Sequence, residues 1–277
     1  MCLALVAIDA NPRYRCVIAA NRDEFHARPA APAAWGKAAP FIDILAGRDI
    51  KAGGTWLGVT ASGRFAFLTN VREPHRHMAT APSRGELVPR VLDAAHGPVQ
   101  ALAAIAADAA AYNGFNLLCG DARGAIWVSN RAATPLPVGP GIHGLSNALL
   151  NTPWPKLTQT KAAFAKWAAH ADADIEPLFA LLADRAVAPD SALPATGVGL
   201  EWERVLSAPF IVSERYGTRC STVVTIDRDG NAQLIERSFD QRGAVTGEVA
   251  FAFALDDGAW LADATSTSSS GAECRLR

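Results

Sequence analysis

The first 25 residues read MCLALVAIDANPRYRCVIAANRDEF, and they contain two short apolar runs, at residues 3–8 and 15–20. The connection between the runs, residues 9–14, contains Asp, Asn and Pro, which favour turns. This pattern predicts a hairpin of two well-buried strands. Cys2 then lies at the start of the first strand, and the polar tetrad Asn21-Arg22-Asp23-Glu24 follows the second.

The same pattern recurs along the chain. Turn sequences separate residues 55–60 from 64–70, residues 116–120 from 125–130, and residues 221–227 from 232–237, and a further strand is predicted at 248–255. These segments predict more antiparallel hairpins, in the first half of the chain and again in its last third.

Helical patterns lie between the strands. Ser83 and Glu86 have the spacing of a capping box, Pro98 begins an Ala-rich helix, Thr152 opens a third, and residues 174–185 form a fourth. Strands at both ends with helices between them favour an α+β fold, in which two mainly antiparallel sheets stack face to face with helices outside.

Length and composition predict one soluble domain, over residues 1–262, and a flexible Ser/Thr-rich tail at 263–277. The chain has 26 Lys and Arg against 27 Asp and Glu, so no net field attracts nucleic acid or an anionic membrane. The apolar start is too short for a signal peptide or a spanning helix, which predicts a cytoplasmic protein without membrane insertion. Five cysteines without CxxC spacing are predicted to be free thiols.

Cys2 is the candidate nucleophile. Met1 is normally trimmed before a small residue, which would leave Cys2 with a thiol of pKa about 8.5 beside an α-amine of pKa about 7.7 to 8.0. The amine can then act as the internal base for the thiol. A buried cysteine that only begins a strand is the alternative.

Arg22 and Asp23 favour the nucleophile, because the predicted hairpin would bring them back beside Cys2. An arginine can lower the pKa of a thiol and an aspartate can hold an amine, although a charged turn with ion pairs would have the same sequence.

Several motifs resemble those of the NRDE family, which includes transport and Golgi organisation protein 2. They are Met1-Cys2-Leu3, Ala20-Asn21-Arg22-Asp23-Glu24-Phe25, Arg28-Pro29, Gly47-Arg48-Asp49, Gly53-Gly54-Thr55-Trp56-Leu57-Gly58, Leu68-Thr69-Asn70-Val71-Arg72, Gly144-Leu145-Ser146-Asn147, Pro153-Trp154-Pro155-Lys156 and Tyr216-Gly217-Thr218-Arg219. The resemblance covers nearly the whole chain except the tail.

The resemblance implies the N-terminal-nucleophile hydrolase fold, a four-layer αββα sandwich, and a more distant similarity to choloylglycine hydrolases and penicillin V acylases. It implies that Cys2 is the nucleophile, that Asp23 orients its amine, and that Asn70, Asn147 and Arg219 complete the site. Those acylases carry an arginine where this chain has Ala20, so Arg22 takes that role from the other side of Asn21. As turn residues, Asn70 and Asn147 would instead satisfy backbone groups.

Two functions follow. The first is an amidohydrolase or acyltransferase that acts on a small, partly apolar amide through a Cys2 thioester and requires no cofactor. The second, implied by the family, is non-catalytic binding and trafficking of haem or another hydrophobic metabolite, with Cys2, His26 and Trp56 as candidate contacts. No CxxCH motif occurs, so haem would be transient cargo. His75-Arg76-His77 is interpreted as a solvated loop, and no metal site is predicted.

Overall fold

The computed structural model of the chain describes residues 3–93, 98–121, 124–170 and 174–256, except for the side chains of residues 98 and 99. Met1, Cys2 and the predicted tail at 263–277 lie outside the described residues. Within these ranges, no helix combines the length and the apolar character that a membrane span requires.

The described residues form thirteen strands and five α-helices. The strands are β1 (Leu3–Ile8), β2 (Tyr14–Phe25), β3 (Ala30–Trp35), β4 (Ile44–Asp49), β5 (Leu57–Thr60), β6 (Phe65–Asn70), β7 (Phe115–Asp121), β8 (Gly124–Ser129), β9 (Leu136–Val138), β10 (Gly141–Leu145), β11 (Tyr216–Asp227), β12 (Asn231–Phe239) and β13 (Val245–Ala254). The helices are α1 (Leu87–Leu92), α2 (Pro98–Asp108), α3 (Pro155–Ala168), α4 (Glu176–Leu182) and α5 (Leu200–Leu206).

The strands make two antiparallel sheets. One sheet has the order β10-β1-β2-β11-β12-β13, and the other has the order β3-β4-β5-β6-β7-β8-β9. The four predicted hairpins are confirmed as β1/β2, β5/β6, β7/β8 and β11/β12.

Three apolar clusters hold the layers together, because each strand alternates its side chains between two faces. The central cluster lies between the sheets and includes Val6, Ile18, Leu57, Phe67 and Leu118. The second packs one sheet against α1 and α2, and the third packs the other sheet against α3 and α4. The predicted α+β sandwich, with two stacked sheets and helices outside, is therefore confirmed.

The helix boundaries differ from the prediction for local reasons. Helix α3 begins at Pro155 rather than Thr152, because Trp154 precedes a proline and is extended, with φ −67° and ψ 146°. Helix α4 is shorter than the predicted 174–185, since Asp174 caps the turn before it by accepting a hydrogen bond from Glu176 N at 2.9 Å. Ser83 accepts from Gly85 N at 3.4 Å, and a 3-10 turn rather than a full capping box precedes α1.

Candidate functional site

The polar tetrad lies inside β2, between β1 and β11. Leu3, the first described residue, pairs with Asn21, while Arg22 pairs with Cys220 and Asp23 with Thr218. The register shifts between Thr218 and Cys220, so Arg219 is the extra residue of a β-bulge. Bulges of this kind are common beside functional sites, because they redirect a side chain.

The buried side chain of Asn21 is hydrogen-bonded to three other segments of the chain. Its Nδ2 donates to the carbonyl oxygens of Leu182 at 2.8 Å and Pro209 at 2.9 Å, and its Oδ1 accepts from Ser221 Oγ at 2.6 Å. Asn21 therefore joins β2 to the segments on the helical side of the sheet.

Arg22 is a buried cation that lies beside Trp56 and Asp49. Only 4% of the residue is exposed, and its guanidinium lies 4.4 Å from the centroid of the Trp56 ring. Asp49 Oδ2 is 3.8 Å from Arg22 Nη2, but the same oxygen accepts a hydrogen bond from Arg28 Nε at 2.7 Å. Among the described residues Arg22 Nη1 has no hydrogen-bond partner. A thiolate or another anion at this position would therefore be stabilised.

Asp23 is buried beside β11. Its Oδ1 accepts a hydrogen bond from Thr218 Oγ1 at 2.7 Å, and that hydroxyl oxygen accepts from Ile211 N at 2.9 Å. Thr218 belongs to one of the family motifs, but no sequence pattern predicted this contact.

Arg219 holds the turn that follows β2. Its Nη1 donates to the carbonyl oxygens of Phe25, His26 and Arg28 at 3.2, 3.0 and 3.3 Å. Burial, and then the positive charge of Arg22, lower the pKa of Arg219. Its described contacts are thus with backbone rather than with a cavity.

Asn70 and Asn147 meet at the ends of β6 and β10. Asn147 Nδ2 donates to the carbonyl oxygen of Asn70 at 3.0 Å, and the Asn147 carbonyl oxygen accepts from Arg72 N at 2.8 Å. Asn147 is buried and Asn70 is half-buried. The two predicted site residues are therefore neighbours.

Two cavities adjoin these asparagines, and Asn70 lines both. The arginine cavity, of about 410 Å³, is lined by Arg22, Arg28, Lys51, Trp56 and Arg84, among others. The aromatic cavity, of about 500 Å³, is lined by Phe25, Arg72, Asn147, Trp202 and Tyr216, among others. The arginine cavity thus has more cations than carboxylates, since only Glu24 and Asp49 oppose its three arginines and Lys51, whereas the aromatic cavity has three aromatic rings and Arg72.

His26 lies apart from both cavities. Its Nε2 is 3.0 Å from the carbonyl oxygen of Ser213, and its ring packs near Gly217. Trp56, in contrast, contacts Arg22 in the arginine cavity. His77 lines the same cavity, and the described residues contain no group of three side chains suited to holding a metal ion.

The chain is similar to known proteins over most of its length. Residues 1–241 match the model of a family described as Transport and Golgi organisation 2. The transport and Golgi organization protein 2 homologs of Bos taurus and Homo sapiens are 39% and 37% identical over 262 and 261 residues, which cover 86% of this chain and 93% of each relative. The Drosophila melanogaster protein is 30% identical over 269 residues, covering 86% of this chain and 92% of the relative.

Among solved structures, the chain is similar to a Caenorhabditis elegans N-acylethanolamine-hydrolyzing acid amidase ortholog, with a TM-score of 0.47 and 13% identity over 80% of this chain and 92% of that one. The family match covers most of the chain and includes every residue predicted for the site. The chain therefore belongs to the Transport and Golgi organisation 2 family.

Proposed function

We propose that this chain is an N-terminal-nucleophile amidohydrolase or acyltransferase whose nucleophile is Cys2 after removal of Met1. The observation that carries the proposal is the pairing of Leu3 with Asn21, the neighbour of Arg22. Cys2 is bonded to Leu3, so its Cα lies about 3.8 Å from that of Leu3. We propose that the thiol attached there reaches the buried guanidinium of Arg22, whose Nη1 has no hydrogen-bond partner among the residues that the structure describes.

The proposed reaction begins with transfer of the thiol proton to the α-amine of Cys2. Sulfur bonds to the carbonyl carbon of the amide, and the carbonyl π electrons move onto oxygen. When the carbonyl re-forms, the C–N bond breaks, and the leaving amine takes the proton from the α-ammonium group. Water then attacks the thioester and gives a proton to the α-amine. As the C–S bond breaks, the acid is released and the α-ammonium group returns its proton to the sulfur, which regenerates the Cys2 thiol. In an acyltransferase, another nucleophile replaces water.

Each neighbouring residue has one proposed role. Arg22 lowers the pKa of the Cys2 thiol, since a nearby cation favours the thiolate. Asp23 orients the α-amine, and Thr218 fixes the orientation of the Asp23 carboxylate. Asn147, with Asn70, contributes a donor to the oxyanion, a contribution whose loss typically costs about 10² to 10³ in rate. Arg219 shapes the turn beside the site.

The role of the free α-amine in catalysis is tested by comparing two forms of the same protein. A cleavable N-terminal tag is removed so that the chain begins at Cys2, and the uncut form is the matched control because it keeps the thiol but lacks the amine. Both react with 4-nitrophenyl acetate, while nitrophenolate release and acetylation of Cys2 are measured. We expect turnover by the cut form and a rate about 10² to 10⁴ lower for the uncut form.

Cys2→Ala should abolish acetylation at residue 2 and turnover together. Equal rates for the cut and uncut forms, or full turnover by Cys2→Ala, would remove the proposal. The intact mass of the chain from its own cells shows separately whether Met1 is lost there.

Binding of haem or another hydrophobic metabolite without catalysis is the second candidate. The observation in its favour is the aromatic cavity, where Phe25 and Trp202 are 52% and 41% exposed and each packs edge-on against Tyr216. Exposed aromatic rings around a concave surface are typical of ligand sites. His26 as a haem contact stays a prediction, as does Trp56.

Titration with haem separates this candidate from the first. A saturable Soret shift at micromolar affinity that Trp202→Ala weakens would support cargo binding. A shift that grows without saturation would remove the haem candidate.

A further inference from the structure

Arg72 contacts Asn147, one of the two asparagines of the site, and the ring of Trp154. It lies two residues beyond the end of β6, and its guanidinium is 4.8 Å from the Trp154 ring centroid. Arg72 Nη2 lies 3.4 Å from Asn147 Oδ1, in addition to the backbone bond from Arg72 N to the Asn147 carbonyl oxygen. One arginine therefore contacts Asn147 at both its backbone and its side chain.

Glu203, on α5, holds Arg72 in place. Its Oε2 accepts from Arg72 Nη1 at 2.6 Å, and its Oε1 accepts from both N and Oγ1 of Thr196, at 2.8 and 2.6 Å. The two side chains are only 8% and 5% exposed. Because each carboxylate oxygen has a donor and the pair is shielded from water, Arg72 is anchored firmly.

This anchoring fixes the orientation of the Asn147 amide. A flipped amide would turn its NH₂ group toward the Arg72 guanidinium, and its oxygen toward the Asn70 carbonyl oxygen, so like groups would face each other at both ends. In the orientation seen, one N–H of Nδ2 is bonded to Asn70 O, which leaves the second N–H of the amide for another acceptor, and Asn147 itself lines the aromatic cavity.

We propose that Arg72 and Glu203 are positioning residues that act through Asn147 on the oxyanion formed during Cys2 acylation, an inference that rests on the proposed function. Neither residue touches the reacting atoms. Their effect is to hold the donor N–H of Asn147 before the reaction begins, which is the property that makes an oxyanion donor effective.

Two reagents separate this role from a general effect on the thiol. Attack on 4-nitrophenyl acetate forms a C–S bond, places charge on the carbonyl oxygen and then expels nitrophenolate. Attack on iodoacetamide forms a C–S bond by direct displacement of iodide, with no charge on a carbonyl oxygen. A residue that acts through the oxyanion should change the first rate and not the second.

The experiment uses the full chain, trimmed to begin at Cys2. We expect Glu203→Gln and Arg72→Lys each to slow acetylation of Cys2 about 10- to 100-fold, as is usual when a supporting contact is lost, and to leave alkylation unchanged. Lysine keeps the positive charge but lacks the planar guanidinium, whose two nitrogens contact Glu203 and Asn147 at the same time. The matched control is Glu201→Gln, which removes an 85% exposed carboxylate paired with Arg204 on the same helix.

A double-mutant cycle tests whether Glu203 acts through Asn147. In an Asn147→Ala chain, Glu203→Gln should slow acetylation no further, since its route to the oxyanion is already gone. Circular dichroism and Tm identify any variant that fails to fold, and Arg72→Lys then serves in place of Glu203→Gln.

The outcomes are distinguishable. If Glu203→Gln slows acetylation and alkylation equally, or slows acetylation as much in the Asn147→Ala chain as in the wild type, the positioning role is overturned. If the wild type is acetylated and neither variant changes the rate, the positioning role alone fails. If wild-type Cys2 is alkylated but never acetylated, the proposed function fails, and the positioning role fails with it.

Discussion

Arg22 is the residue on which the electrostatics of the site depend. Its stacking on Trp56 places the positive charge against the face of an indole, and its nearest carboxylate, Asp49, is bonded more closely to Arg28. A buried cation in this state favours an anion beside it by more than an exposed lysine does, because little water screens it.

We predict that Arg22→Gln raises the pKa of the Cys2 thiol by about one to two units, since an opposite charge nearby shifts a pKa by roughly that much. The measurement is the pH dependence of Cys2 alkylation by iodoacetamide in the trimmed chain, with peptides resolved by mass spectrometry. Lys51→Gln is the control, because it removes an exposed cation from the rim of the same cavity. An unchanged midpoint in Arg22→Gln would show that Arg22 does not stabilise the thiolate.

The alkylation assay also reports on the buried cysteines. Cys16, Cys119 and Cys220 are buried, and burial raises the pKa of all three thiols, that of Cys119 to about 12. We expect none of them to be alkylated in the folded chain near neutral pH, and all of them to be alkylated in denaturant. Rapid labelling of Cys220 in the folded chain would contradict the packing around Arg22.

At the scale of elements, local pattern predicted the hairpins and missed the strands that depend on distant partners. The apolar runs of β1 and β2 are strand-like by themselves, whereas β3 reads AAPAAW and lacks β-branched residues. Strand β10 becomes a strand by pairing with β1 across the chain. The hairpin pattern singled out the tetrad and the family motifs identified both asparagines, but Glu203 was missed, because only the contact of α5 with Arg72 reveals it.

The approach of β4 to Trp56 offers a test at this scale. A Cβ on Gly47 would lie 2.4 Å from Trp56 Cζ2 and 3.3 Å from Glu236 Oε2, so Gly47→Ala must displace the indole. We expect a loss of about 1 to 3 kcal/mol in the free energy of unfolding, as for other overpacked cores, and a changed tryptophan fluorescence spectrum. Gly139→Ala is the control, since a Cβ there meets nothing within 4 Å. Equal stability of the two variants would refute the close contact.

At the scale of the whole molecule, the site is made by both sheets. Arg22 belongs to β2 of one sheet, whereas Trp56 precedes β5 and Asn70 ends β6 in the other. The distance between the sheets therefore controls the arginine cavity. This dependence was beyond prediction from sequence, because no local pattern encodes the spacing of two stacked layers.

Glu236 is a polar contact that crosses between the sheets. Lying on β12, it accepts hydrogen bonds from Ala33 N of β3 at 2.8 Å and from Thr222 Oγ1 at 3.0 Å. Burial raises its pKa above the ordinary value of 4.5, although the bonds from Ala33, Thr222 and Cys220 and the charge of Arg22 oppose that shift. The ionised form is thus less favourable in the folded chain than in the unfolded chain.

The sign of the pH dependence follows from that raised pKa. Below the unfolded value near 4.5 the group is protonated in both states and its contribution to stability is fully present; as the pH rises through the folded pKa, this contribution is lost.

Glutamine stays neutral, so we predict that the free energy of unfolding of Glu236→Gln, minus that of the wild type, increases from pH 4.5 upward and levels off above the folded pKa. Urea unfolding across this range measures the difference. Glu248→Gln, an exposed carboxylate on β13 paired with Arg237, should follow the wild-type curve, since exposed pairs contribute little. A pH-independent difference for Glu236→Gln would mean that the Glu236 carboxyl group titrates alike in the folded and unfolded chains.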